Sequence, residues 1–202
     1  MTRSRGLGDV YKRQVIAAPG FDKETMDVIQ KKPNVRLLKI KLKKKKDIVY
    51  ETKLLRDKLL VQEKDNKYIT SKDLTTVTTK KPTAKQIEDM MFAFKISRYV
   101  KSNSIVLVKN NRTLAIGAGQ MSRIDSTNIA YNKAEKEKIS LEGSVMASEA
   151  FFPFRDNVDL AKKLGVSAII QPGGSINDEK IIKVANQHKL SMCFSHTRVF
   201  KH

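Results

Sequence analysis

The stretch from Gly143 to Asp159 combines aromatic and charged side chains in a way that is unusual for a purely structural segment. Three phenylalanines surround a proline directly before a charged triplet, in the order Phe151, Phe152, Pro153, Phe154, Arg155, Asp156, Asn157. Apolar rings beside hydrogen-bonding groups are typical of a pocket for a flat ligand with polar edges. A core strand that ends in a helix cap would have the same composition, so this stretch alone leaves both interpretations open.

Four blocks of the sequence, taken together, resemble the AICAR transformylase family. That domain forms the C-terminal part of a bifunctional purine-biosynthesis enzyme, AICAR transformylase/IMP cyclohydrolase. The resemblance is strong from Asp73 to His202 and weaker from Val15 to Gln30. The blocks that carry it are Ser102–Ile124 with its Ile-Gly-Ala-Gly-Gln-Met-Ser-Arg-Ile run, Ala150–Val158, Gln171–Ser175 and Arg198–His202.

The reaction that this resemblance implies transfers a formyl group from 10-formyltetrahydrofolate, a cosubstrate, to the 5-amino group of AICAR. That amine is conjugated to the neighbouring carboxamide, so it is a poor nucleophile. Catalysis therefore needs an oriented amine, a proton acceptor and stabilisation of the negative charge that develops on the formyl oxygen.

Four residues match the family's contacts to AICAR. Asn103 carries an amide that offers a donor and an acceptor at once, so it can read a carboxamide edge and assist catalysis. The guanidinium forks of the two arginines suit phosphate or carboxamide oxygens. The resemblance also places His202 in the active site, where an imidazole can accept or relay a proton. As isolated residues, an asparagine before a strand would be a turn residue, the arginines would be surface charges, and a terminal histidine would fray. The AICAR contacts are Asn103, Arg123, Phe151 and Arg198.

Five residues fall where the family contacts the folate. Asp156 can bond to the donor edge of the pterin, although a helix cap would explain it equally well. A Gly173-Gly174 pair allows the backbone to approach a ligand closely, although a plain turn would look the same. The folate contacts are Ile124, Pro153, Asp156, Ser175 and Ile176.

The family's essential Lys-His pair is expected upstream of the strand that begins at Val15. Lys201-His202 is the one Lys-His sequence in this chain, and it matches the family's C-terminus instead. An aspartate that contacts AICAR and the whole cyclohydrolase domain are also expected upstream. We therefore expect the chain to be an incomplete enzyme that is inactive alone.

Alternating strand and helix patterns predict an α/β fold with three layers, α/β/α. Thr83 and Gln86 have the spacing of a capping box ahead of an amphipathic helix that reaches about Val100. Asn110-Asn111 between two apolar runs predicts a hairpin turn. The resemblance implies a cytidine-deaminase-like subdomain at residues 83–202, preceded by a partial first subdomain and connector at 15–82. Residues 1–14 are polar, basic and without clear periodicity, and they are predicted to be a disordered or foreign leader.

The remaining strands and helices are predicted from apolar runs bounded by caps and glycines. The predicted strands are 15–20, 35–42, 105–108, 114–116, 144–147, 168–170 and 192–194, with strands or an extended connector over 47–72. One further helix is predicted to begin after Asp22, and three others cover 122–137, 158–164 and 181–188. Gly165 is predicted to close the helix at 158–164.

The formal net charge of the 202 residues is +19, which indicates polyanionic partners. Lys31–Lys46 contains nine basic residues and no acidic one. A basic nucleic-acid-binding module is therefore the alternative function, but no aromatic side chains interleave this run for base stacking, and a solvated face is favoured.

Cysteine and histidine content restricts the chemistry further. The single Cys193 excludes an internal disulfide, fits a cytoplasmic protein and is expected to be buried. With one cysteine and three histidines the chain cannot supply the zinc site of a deaminase, so we expect no metal. No apolar run is long enough for a membrane span. The resemblance further implies a homodimer.

Overall fold

The computed structural model describes residues 15–32, 34–41, 50–63 and 67–201. The predicted leader at 1–14, part of the basic run and His202 lie outside the described residues. The chain divides into two compact units, residues 1–64 and 65–202. Among the described helices, none is long and apolar enough to cross a membrane.

The first unit contains a strand–helix–strand element and a separate hairpin. Asp22 caps the helix by accepting a hydrogen bond of 2.7 Å from the Thr25 N–H, as its position predicted. The two flanking strands pair in parallel, and the hairpin strands pair antiparallel. The elements are β1 (Val15–Ala18), α1 (Lys23–Gln30), β2 (Arg36–Lys39), β3 (Tyr50–Leu55) and β4 (Lys58–Glu63).

The second unit is built on a six-stranded mixed sheet in the order β5-β10-β9-β8-β6-β7. The strands β8, β9 and β10 run parallel, while β5, the outermost strand on one side, pairs antiparallel with β10. On the other side β6 is antiparallel to both β8 and β7. The strands are β5 (Thr75–Thr76), β6 (Ile105–Lys109), β7 (Arg112–Gly117), β8 (Val145–Ser148), β9 (Ala168–Gln171) and β10 (Ser191–Phe194).

Helices cover both faces of this sheet, because its central strands are apolar on both sides. The helices are α2 (Ala84–Ser97), α3 (Arg123–Lys136), α4 (Asp156–Lys163) and α5 (Asp178–Gln187). Alternate residues of each strand enter two different clusters. One cluster joins α2 to Val106, Val108, Val145, Ala147, Ala168, Ile170 and Cys193. The other joins α3, α4 and α5 to Ile105, Leu107, Met146, Ile169 and Met192. The predicted three-layer α/β/α fold is confirmed.

Most of the predicted elements of this unit are present. The capping box of Thr83 and Gln86 forms at the start of α2, although the helix ends at Ser97, before the predicted Val100. Asn110 and Asn111 adopt positive φ angles of 54° and 53° in the turn between β6 and β7. Cys193 is buried.

Two helices begin earlier than their apolar patterns predicted. α4 starts at Asp156 and α5 at Asp178. The acidic side chains of each first turn stabilise the helix by interacting with the positive end of its dipole. Apolar periodicity does not register these polar first turns. The predicted closure of α4 by Gly165 is present, with φ at 76°.

The second compact unit begins at residue 65, so it includes the end of the predicted connector. The predicted division into subdomains after residue 82 stays a prediction. Thr75–Thr76 forms β5 on the second unit's sheet, and the Val77 N–H donates to the Met192 carbonyl at 3.0 Å. Residues 67–82 therefore belong to the second unit. The cause is long-range strand pairing, which no local pattern in these residues reports.

Candidate active site

Several connecting segments of the second unit meet at one edge of the sheet. The carboxyl ends of the parallel strands β8, β9 and β10 meet there. Because Ile105 at the start of β6 pairs with Ser148 and with Gly117, the start of β6 and the end of β7 lie at this edge too. The helices α3, α4 and α5 begin just beyond it and direct their positive ends toward it. In open α/β sheets this edge is where ligands bind.

The four residues predicted to contact AICAR lie on four of these segments. Asn103 precedes β6, Arg123 begins α3, Phe151 follows β8, and Arg198 lies beyond β10. These residues come from positions far apart in the sequence, and the sheet brings their segments to one edge.

Arg123 is held by two side chains at the end of β8, Ser148 in the strand and Glu149 directly after it. Its Nε donates to the Ser148 Oγ at 3.2 Å, and its Nη2 donates to the Glu149 Oε1 at 3.2 Å. Its side chain is 12% exposed, and that of Glu149 is fully buried. Burial lowers the pKa of the Arg123 guanidinium, the Glu149 carboxylate raises it, and the nearby charge of Arg198 lowers it.

Arg198 is exposed and packs against an aromatic ring. Its guanidinium carbon lies 4.9 Å from the centroid of the Phe151 ring. An ideal Cβ on Gly174 would lie 3.8 Å from its Nη2, so the Gly173-Gly174 turn passes beside this guanidinium. The geometry therefore brings together Phe151, Arg198 and the Gly173-Gly174 turn.

Asn103 uses its amide nitrogen within the protein. The Nδ2 donates to the carbonyls of Gln120 and Met121, both at 3.0 Å. The main-chain carbonyl of Asn103 accepts from the Ser126 Oγ at 2.7 Å. Among the described residues, no hydrogen bond reaches its Oδ1. The side chain therefore presents an acceptor, whereas the sequence suggested a donor and an acceptor together.

Two of the segments with predicted folate contacts are linked directly. The Asn177 Nδ2 donates to the Pro153 carbonyl at 2.9 Å, and the Asn177 N–H donates to the Ser175 Oγ at 3.2 Å. Ile176 between them is 100% exposed, so it would have to gain its apolar contacts from a ligand or another chain segment. A groove of about 580 Å³ lined by Pro153, Phe154 and Asn177 opens beside these residues.

The remaining two predicted folate contacts lie on neighbouring helix starts. Asp156 is the first residue of α4, and its Oδ1 accepts from the N–H and Nδ2 of Asn157 at 2.7 and 3.1 Å. Thr127 of α3 donates to the Asn157 Oδ1 at 2.7 Å. Ile124 is the second residue of α3, about one turn before Thr127, and is partly buried.

The C-terminal segment is tied to the same edge up to Lys201. The Val199 N–H donates to the Glu149 carbonyl at 3.0 Å, and the Ser102 N–H donates to the Lys201 carbonyl at 2.9 Å. These bonds oppose the fraying expected of a chain end.

The other two histidines lie apart from the predicted contacts. His188, at the end of α5, bonds to Asp159 at 2.6 Å in a half-buried pair. His196 is exposed and bonds to the Thr75 Oγ1 at 2.9 Å.

Two buried polar residues were not among the predicted contacts. Glu149 accepts from the N–H and Oγ of Ser104, both at 3.1 Å, as well as from Arg123. Gln171, also fully buried, accepts from the Phe152 N–H at 2.8 Å and so supports the phenylalanine segment. Both residues stand at or after the end of an apolar strand, and that position was the available signal in the sequence.

A family model described as the AICARFT/IMPCHase bienzyme matches residues 10–133. The chain belongs to this family. The family assignment confirms the resemblance and does not favour the nucleic-acid-binding alternative.

Three curated relatives, each described as the bifunctional purine biosynthesis protein PurH, match nearly the whole chain. The protein of Persephonella marina is 49% identical over 200 residues, 98% of this chain and 38% of the relative. The Chlorobium phaeobacteroides protein is 43% identical over 202 residues, 100% of this chain and 38% of the relative. The Xanthomonas oryzae pv. oryzae protein is 44% identical over 189 residues, 94% of this chain and 36% of the relative. The chain thus spans less than two fifths of the length of these AICARFT/IMPCHase relatives.

Among solved structures, the dCMP deaminase from the cyanophage S-TIM5 aligns with 52% of this chain and 93% of its own. Its TM-score is 0.38 and its sequence identity 17%, which is too low to bear on the fold or the site.

Proposed function

We propose that this chain carries ligand-binding parts of a formyltransferase site in which the formyl group of 10-formyltetrahydrofolate passes to the 5-amino group of AICAR. Membership of the AICARFT/IMPCHase family supports an enzyme of purine biosynthesis. The single observation that carries the proposal is that Asn103, Arg123, Phe151 and Arg198 lie on segments that meet at one edge of one sheet. We further propose that the protein acts in the cytoplasm.

AICAR, in this proposal, binds along the row formed by Phe151, Arg198 and Arg123. The flat base stacks on or beside the Phe151 ring, and the exposed Arg198 takes an oxygen of the phosphate or the carboxamide. Arg123 offers its remaining N–H groups, since two are already held by Ser148 and Glu149. The Oδ1 of Asn103 accepts an N–H of the ligand.

The folate binds at the neighbouring segments, with Pro153, Ile124 and Ile176 as apolar walls. The carboxylate of Asp156 accepts from the donor edge of the pterin while it also bonds to Asn157. The Ser175 Oγ accepts from Asn177 and retains its own proton as a donor.

The chemical step needs groups beyond those described. His202 is proposed to accept or relay the proton of the attacking amine, and Lys201, its neighbour, is tied to Ser102. The chain contains no other Lys-His sequence. We therefore propose that residues outside these 202 complete the site and that the 202 residues alone do not turn over.

The test compares the 202-residue chain with a chimera that joins it to the preceding part of the Persephonella marina relative. Tetrahydrofolate formation is followed at saturating AICAR and 10-formyltetrahydrofolate. The chimera should turn over and the chain alone should not. Full turnover by the chain alone would contradict its proposed incompleteness, and a chimera that folds but binds neither ligand would contradict the proposed function.

A further inference from the structure

Glu149 connects three segments that carry the proposed AICAR contacts. Its side chain is fully buried, and its two carboxylate oxygens accept three hydrogen bonds. Its main-chain carbonyl accepts a fourth, from Val199. A buried carboxylate is stable only when it is paired and hydrogen-bonded, and removing one partner of such a pair is costly.

Each bond lies at or next to a proposed AICAR contact. Ser104, which donates twice, follows Asn103 in the chain. Val199 follows Arg198, and Arg123 bonds to the carboxylate directly. Phe151 lies two residues after Glu149 itself. One residue thus sets the spacing among four side chains that come from distant parts of the sequence.

The charge of Glu149 has a second consequence. The charge of Arg198 lies close enough to Arg123 to disfavour the charged form of the Arg123 guanidinium. Two like charges at short range repel, and a carboxylate bonded to one of them offsets part of this repulsion. The bonds from Nε and Nη2 also hold the planar guanidinium of Arg123 in one orientation before any ligand arrives.

We propose that Glu149 is a positioning residue for AICAR, acting through Arg123 and through the two segments that it joins. The inference rests on the proposed function. Glu149 does not contact the ligand in this proposal. Its effect is that the AICAR contacts are already in place before binding, which reduces the ordering cost of binding.

The experiment is a double-mutant cycle with AICAR as the probe. Glu149→Gln, Arg123→Gln and the double variant are made in both the 202-residue chain and the chimera, and AICAR binding is measured by titration calorimetry. Glu149→Gln should weaken binding by about 10-fold or more, as expected when a charge-assisted bond is lost. The double variant should bind no more weakly than Arg123→Gln alone, because both substitutions act on the same group, the Arg123 guanidinium.

A second measurement reports on Arg123 without any ligand. Exchange of its Nε–H with solvent, followed by NMR, should be several-fold faster in Glu149→Gln than in the wild type. Asp89→Asn is the matched control, because Asp89 is also a buried acid (4% exposed) and bonds to the N–H groups of Asn110 and Asn111 at the opposite edge of the sheet. It should lower stability without changing AICAR affinity or the exchange of Arg123.

The outcomes separate the inference from the proposed function. Normal AICAR affinity in Glu149→Gln, losses that multiply in the double variant, or an equal loss in Asp89→Asn would each overturn the positioning role alone. A folded wild-type chimera that does not bind AICAR would overturn the proposed function, and the positioning of AICAR with it. The Arg123 exchange rate would still report whether Glu149 holds that guanidinium.

Discussion

At the scale of single residues, the two arginines of the site differ in their surroundings. Arg123 is nearly buried and paired with Glu149, whereas Arg198 is exposed and packs on Phe151. A buried, paired guanidinium has a fixed direction, while an exposed one can adapt to the ligand. Both nevertheless use the planar fork that lysine lacks.

Replacing Arg198 or Arg123 by lysine should weaken AICAR binding by about 5-fold to 100-fold, because the charge remains while the second hydrogen bond is lost. Titration calorimetry on the chimera checks this. Arg112→Lys, an exposed arginine at the start of β7 and the opposite edge, is the control and should have no effect. Unchanged affinity in both site variants would contradict their assignment as ligand contacts.

Asp159 provides a pH-dependent contribution to stability. Hydrogen bonds from Arg155 and His188 lower the pKa of this carboxyl from 3.8 to about 2. Because the pKa is lower in the folded state, the ionised carboxyl stabilises the fold at any pH above the pKa of the unfolded state. This contribution is lost as the pH falls from about 5 toward 2 and below. Since the carboxyl is 30% exposed, solvent screening reduces the contribution to about 1–2 kcal/mol.

Asp159→Asn should therefore lower the free energy of unfolding by about that amount at pH 7, and most of the difference from the wild type should be lost by about pH 2. Urea unfolding at several pH values measures it. Glu137→Gln, an exposed acid at the end of α3, serves as the control. A difference that stays constant down to pH 2 would mean that the ion pair is not its source.

At the scale of elements, the site depends on how closely α3 packs on β7. Gly117 ends β7, and an ideal Cβ at this position would lie 1.7 Å from the main-chain oxygen of Ser126 in α3. The first turn of α3 carries Arg123 and Ile124, so the absence of a side chain at Gly117 allows α3 to position both residues.

Gly117→Ala should destabilise the second unit by about 1–3 kcal/mol or more, because the helix backbone must move away from the strand. It should also weaken AICAR binding, since Arg123 moves with the helix. Thermal unfolding and calorimetry test both effects. Gly20→Ala, where a Cβ would meet nothing within 4 Å, is the control. An unaffected melting temperature in Gly117→Ala would rule out this close approach.

The C-terminal segment is the second element on which the chemistry depends. Its bonds from Val199 to Glu149 and from Ser102 to Lys201 hold the backbone up to Lys201 at the sheet edge. Deleting His202 in the chimera should lower kcat far more than it changes AICAR affinity, because a proton acceptor is lost but no binding group is. A C-terminal tag should have a milder effect of the same kind. Full kcat from pH 6 to 9 in the deletion variant would exclude a catalytic role.

At the scale of the whole molecule, the first unit exposes apolar surface that a stable monomer would bury. Tyr50, Leu54, Leu59 and Val61 lie on one face of the β3–β4 hairpin and are 51–77% exposed. A two-stranded hairpin is marginally stable by itself, and exposed apolar patches mark contact surfaces. The homodimer that the family resemblance implies would offer further contacts to this face.

We therefore expect the 202-residue chain to dimerise or aggregate at low micromolar concentration, as measured by sedimentation velocity. The double variant Leu54→Lys/Leu59→Lys should reduce this association, because charged side chains on the hairpin face are costly to bury. Tyr99→Lys, an exposed residue of the second unit, should leave it unchanged. A wild-type chain that remains monomeric at all concentrations would contradict the expectation.

The sequence by itself determined the local structure and the family. The capping box of Thr83 and Gln86, the positive φ angles of Asn110 and Asn111 and the closure at Gly165 depend on residues a few positions apart, so short patterns predict them. Only the tertiary structure decided which segments meet. Strand order depends on pairings such as those of β5 with β10, between residues more than 100 positions apart. The role of Glu149, which joins Ser104, Arg123 and Val199 at the sheet edge, likewise depends on the tertiary structure. The partners of a buried carboxylate are residues close in space, and its neighbours in the chain do not predict them.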